Sequence, residues 1–184
     1  MNLLEWYNKG LTLEEYKAGM KVNRDKMDSI YERFQLKEED KNELSSLTNR
    51  AEKVIVLTED WCGDAMLNIP ILLTIAKEKG MEVRFLLRDT NLELMDQYLT
   101  NGTSRSIPIF IFINDKGQEQ AVWGPRAEEV QKLVDSLREQ LPPKEAEDFQ
   151  DKQKEMFKSL TKAYQEDERL WRAVVNSIIQ TLNR

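Results

Sequence analysis

The stretch Val54-Ile55-Val56-Leu57-Thr58-Glu59-Asp60-Trp61-Cys62-Gly63-Asp64-Ala65 decides how this chain is read. Four apolar residues in succession give a short strand of the kind buried on both faces. Cys62, the only cysteine among 184 residues, stands where that strand gives way to a helix-like segment. A strand end presents such a thiol to solvent, and the amides of a helix N-terminus favour its thiolate. A dithiol centre needs a second cysteine three residues on, and that position is Ala65.

Working outward, residues 65–79 read as a helix with Pro70 as an internal kink and Gly80 closing it. Residues 83–87 form the next strand, and 92–99 a short helix ended by Asn101-Gly102. Residues 107–113 and 120–123 are two strands joined across Asn114-Asp115-Lys116-Gly117, a hairpin signal, and 127–141 is a closing helix punctuated by Pro142-Pro143. The first fifty residues are helical. Thr12-Leu13-Glu14-Glu15 is a capping-box pattern, Gly10 ends a preceding helix, and Met27, Ile30, Tyr31 and Phe34 share one helical face.

Residues 144–184 contain neither glycine nor proline and carry an apolar stripe through Met156, Leu160, Tyr164, Trp171, Val175, Ile179 and Leu182. Unbroken, about forty helical residues would span ~60 Å, longer than a small domain is wide. The segment therefore either turns back near 165–168 onto the N-terminal helices or projects as a partner-binding or homodimer-forming helix.

Composition narrows the chemistry. A formal charge of −6 argues against nucleic acid and anionic membrane surfaces as partners. No apolar run reaches the ~20 residues of a membrane helix, and no signal-peptide pattern is visible at Met1–Trp6, so a cytoplasmic location is expected. One cysteine cannot close an internal disulfide, which fits a reducing compartment. The absence of histidine excludes Ser–His and Cys–His catalysis and the common zinc sites. Glu59, Asp60 and Asp64 lack metal-ligand spacing and read as a solvated acidic rim, so no metal site is expected.

Residues 51–141 resemble the thioredoxin family. Trp61-Cys62-Gly63 matches the start of its Trp-Cys-Gly-Pro-Cys motif, Pro70 its helix-kinking proline, and Ser106-Ile107-Pro108 its cis-proline loop. Asn114–Gly117 matches the following hairpin and Gly124 the glycine before the last helix. The resemblance implies an α/β thioredoxin-like fold, a central mixed sheet flanked by helices. On this chain it would lie at 51–141, between helical extensions at 1–50 and 142–184. It also implies a cis Ile107–Pro108 bond. No cofactor is expected.

Three positions depart from the family: Asp64 replaces the proline between the cysteines, Ala65 replaces the resolving cysteine, and Val56 stands where the family carries a buried acid. A two-cysteine cycle is therefore excluded. Two readings follow. In the first, Cys62 is a monothiol nucleophile exchanging with protein or low-molecular-weight thiols and disulfides. Trp61 shapes the surface beside the sulfur, Gly63 allows close approach, and Ile107 and Pro108 form the substrate-facing loop. In the second, Cys62 is a remnant on a non-enzymatic binding or adaptor protein. A third possibility is a metal or cluster held by Cys62 from two subunits with external thiols. The helix N-terminus and the neighbouring Asp60 and Asp64 carboxylates have comparable, opposite effects on the thiol, so a pKa near ~8.5 is expected.

Overall fold

The computed structural model describes residues 2–48 and 50–184. Its centre is a four-stranded sheet of β1 (Lys53–Thr58), β2 (Glu82–Leu87), β3 (Ile109–Ile113) and β4 (Glu119–Trp123), in the order β2-β1-β3-β4. β1 runs parallel to β2 and antiparallel to β3, and β4 completes an antiparallel hairpin with β3. Val54, Ile55, Val56 and Leu57 are fully buried, so both faces of β1 are covered. That is why this strand is continuously apolar and not alternating.

Among the described residues four helices precede the sheet: α1 (Leu3–Lys9), α2 (Leu13–Gly19), α3 (Arg24–Arg33) and α4 (Glu38–Ser46). The capping box of α2 forms, with Thr12 Oγ1 accepting from the Glu15 amide and Glu15 Oε2 accepting from the Thr12 amide. Leu11 pairs with Phe85, so the N-terminal segment covers the edge of β2. On α3, Met27 and Ile30 are buried, as is Phe34 at its C-cap, while Tyr31, one residue round the helix from Ile30, is exposed.

β1 and β2 are connected by α5 (Gly63–Lys79), which contains Pro70 and closes at Gly80 in the left-handed conformation, φ 69°. After β2 a 3-10 turn (Arg88–Thr90) leads into α6 (Leu92–Met95), which stops short of residue 99. There the Gln97 and Tyr98 amides close i→i+3 turns and a Thr100–Ser104 bridge folds the chain back. β3 likewise begins at Ile109 and not at Ile107, because Pro108 has no N–H to give the ladder.

After the hairpin come α7 (Glu128–Glu139), α8 (Phe149–Glu166) and α9 (Glu168–Leu182). The C-terminal stripe turns back at Asp167, whose side chain accepts from the Arg169 amide and caps α9. Trp171 Nε1 then donates to the Tyr164 carbonyl across the corner at 2.8 Å. Leu170, Trp171, Val174, Val175, Ile178, Ile179 and Leu182 are all buried within the same chain. α3, α4, α8 and α9 pack on α5, and α9 also covers β4. One apolar core runs from Leu3 to Leu182.

Candidate active site

At the end of β1 the chain turns through Glu59, Asp60 and Trp61 into α5. Cys62 is the N-cap of α5: its Sγ accepts from the Ala65 amide at 3.4 Å, and its own N–H donates to the Glu59 carbonyl at 3.2 Å. The thiol in turn donates to the carbonyl of Ile107, 3.4 Å away. The Ile107–Pro108 and Gly124–Pro125 peptide bonds are cis. The sequence-derived loops 61–65 and 107–108 thus meet at the sulfur.

Gly124 is required where these loops close. Its φ is 132°, and a Cβ there would lie 2.2 Å from the Pro108 carbonyl oxygen. The turn after β4 is therefore seated directly on the proline loop. Fully buried Asn68, on α5, donates to the Pro125 carbonyl at 3.0 Å and ties the same turn to the helix.

Cys62 is only 7% exposed. Burial pushes its thiol up to about 11, and the Asp64 carboxylate adds to the rise. The Ala65 and Asp64 amides and the Arg126 guanidinium pull in the other direction without matching it. The expected value near ~8.5 balanced the helix against the carboxylates and left out desolvation, which is the largest influence here. Ala65 is buried behind the thiol, whereas Trp61 is 52% exposed with the Arg88 guanidinium 5.0 Å above its ring. Arg88 also donates to the Arg105 carbonyl, joining the Trp61 loop to the segment that enters Pro108.

The three carboxylates expected as a solvated rim are each engaged. Glu59 is buried and accepts from the Asp89 amide at 2.9 Å. Asp60 accepts from the Lys21 and Val22 amides at 2.6 and 3.3 Å, pinning the α2–α3 turn beside the site. Asp64 forms a bidentate pair with Arg126, at 2.9 Å to Nε and 2.7 Å to Nη2. It also accepts from the Tyr164 hydroxyl at 2.7 Å. Arg126 and Tyr164 are site residues that sequence reasoning missed. Tyr164 showed itself only as part of the C-terminal stripe, and Arg126 only by following Gly124-Pro125. Among the described residues no cluster of histidine, cysteine, aspartate or glutamate could hold a metal ion, and no helix is long and apolar enough to cross a membrane.

A family described as Thioredoxin matches residues 10–138. This chain belongs to the thioredoxin family. The match begins at Gly10, so it takes in α2, α3 and α4 as well as the sheet. No curated protein matches the chain. Two solved structures are similar over 98% of both chains, each with a TM-score of 0.67. One is a protein of unknown function, PA1234, from Pseudomonas aeruginosa, at 15% identity; the other is an HIV epitope-scaffold at 13%. At such identities the likeness is one of fold. It extends through α8 and α9, so the helices flanking this thioredoxin-family sheet are part of a shared architecture.

Proposed function

We propose that this thioredoxin-family chain performs monothiol thiol–disulfide exchange, with Cys62 as the nucleophile and a cytoplasmic thiol as the resolving partner. The observation that carries this reading is the placement of Cys62 Sγ at the N-terminus of α5, 3.4 Å from the Ile107 carbonyl that precedes cis-Pro108. An extended peptide laid along that loop brings its disulfide to the sulfur. The Cys62 thiol gives its proton to solvent, and the thiolate attacks one sulfur of R–S–S–R′. The Cys62–S–S–R bond forms, and R′–S⁻ leaves and takes up a proton. An external thiolate then attacks the R sulfur, forming R–S–S–R″ and restoring the Cys62 thiolate.

With the thiol at about 11, only about one molecule in ten thousand carries a thiolate at pH 7. Exchange with free small disulfides is therefore slow, and the site suits a docked protein substrate. The same burial favours a second reading, in which the loop binds a protein partner without covalent chemistry.

Incubation of the full chain with a protein mixed disulfide and a small thiol, beside Cys62→Ser, separates the two. Turnover in wild type that vanishes in the variant supports exchange. Turnover surviving the substitution, or none with any thiol tried, overturns exchange and leaves binding.

A further inference from the structure

We propose that Arg126 and Tyr164 are positioning residues for Cys62: Arg126 neutralises the Asp64 carboxylate and Tyr164 holds it in place, so the seating of α7 and α8 governs the field the thiol faces. Asp64 is the second residue of α5, two positions from the thiol, and its side chain is 12% exposed. A carboxylate so placed opposes a thiolate at Cys62. Arg126 offsets that charge through two hydrogen bonds to Asp64. Its Nη1 is fixed by Gln131 Oε1 at 2.9 Å, and Gln131 is fixed in turn by Asp135 at 2.8 Å, so the guanidinium is anchored on α7. Tyr164 brings α8 to the same Asp64 oxygen at 2.7 Å, and its backbone carbonyl is held by Trp171 of α9.

The other ionisable groups around the thiol are Tyr16 of α2, stacked on Phe85 and bonded to Thr58, and Glu59 and Asp60 of the loop. Arg88 sits over Trp61. Glu59 and Asp60 are already bound by backbone amides. Asp64 is the carboxylate balanced by a guanidinium and held by a hydroxyl from a further helix.

The proposal takes Cys62 as the reacting atom of the exchange above, but it concerns only how readily that thiol ionises. The experiment measures the rate of alkylation by iodoacetamide between pH 7.5 and 9 on the full chain, which reads ionisation whether or not any disulfide turns over. Below the thiol midpoint each pKa unit is worth about tenfold in thiolate fraction and about threefold in rate, because a less basic thiolate is also less nucleophilic. Asp64→Asn is expected to speed alkylation, and Arg126→Gln to slow it by about threefold or more. Arg126→Lys restores a rate near wild type, and Tyr164→Phe slows alkylation less than Arg126→Gln does. A purely structural role predicts the opposite sign, because loosened packing hydrates the thiol and speeds its reaction. A folded Arg126→Gln that alkylates as fast as wild type or faster overturns the proposal. If Arg126→Gln does not fold, the milder Tyr164→Phe decides: a slower rate supports the proposal, and an equal or faster one overturns it.

Discussion

Tyr164 donates its hydroxyl to Asp64 at 2.7 Å, across 100 positions of the chain. The bond links a helix near the C-terminus to the first turn of the helix that carries Cys62. Beyond Tyr164 the chain turns at Asp167, and Trp171 of α9 finds its polar partner, the Tyr164 carbonyl, across that corner.

Removing that hydroxyl tests its structural weight. Tyr164→Phe keeps the buried ring and deletes one hydrogen bond to a charged acceptor, which is worth about 1.5–3 kcal/mol. Urea unfolding is expected to show a lower midpoint with an unchanged denaturant slope, since the surface exposed on unfolding is the same.

Alkaline pH should destabilise the fold in overlapping steps, Cys62 first and then the tyrosines that burial holds protonated, Tyr16 together with Tyr7, Tyr98 and Tyr164. Burial raises Cys62 from 9.0 to about 11 and Tyr16 from 10.0 to about 12, so the folded state holds protons that the unfolded state releases. Their contribution is therefore complete below pH 9 and declines as pH rises toward 11 for Cys62 and 12 for Tyr16. The Cys62 share is about 2–3 kcal/mol. Unfolding curves for wild type and Cys62→Ser, compared from pH 8 to 11, should diverge across 9–11, with wild type losing the more. Parallel curves would show that the thiol is hydrated in the folded state.

The sheet was readable because burial on both faces writes itself as unbroken apolar runs, as at Val54–Leu57 and Ile109–Ile113. The cysteine's place at a helix start was readable too, because strand and helix adjoin in sequence. Its burial was not, since that depends on the proline loop and on helices that return from far along the chain. Arg126 and Tyr164 reach Asp64 from 62 and 100 residues away, and no local spacing rule links them. Asp60 looked like a free charge because its partners are backbone amides of Lys21 and Val22, which side-chain patterning never reveals.

Cys62→Ser should leave the fold close to wild-type stability. Serine is a better N-cap than cysteine and offers both the acceptor for Ala65 N–H and the donor for the Ile107 carbonyl. A change within about 1 kcal/mol in urea unfolding near pH 7 is expected. Loss of exchange in this variant would then report chemistry and not unfolding.

Gly63, next to Cys62, and Gly124, seated on the proline loop, answer substitution oppositely. At Gly63 a Cβ meets nothing within 4 Å, and the residue opens a regular helix turn. Gly63→Ala should therefore be neutral or stabilising by up to about 1 kcal/mol. At Gly124 the Cβ would collide with the Pro108 backbone at 2.2 Å, and φ 132° is a conformation alanine rarely adopts. The atom in the way is main chain, so no side-chain rotation relieves it, and a loss of at least about 2 kcal/mol is expected. Relief requires the turn and the proline loop to separate. That separation draws the Ile107 carbonyl off the thiol and admits water, so Gly124→Ala should alkylate at Cys62 faster than wild type while unfolding at lower urea. A variant that is destabilised but alkylates at the wild-type rate would show that the loop shifts without carrying Ile107 with it.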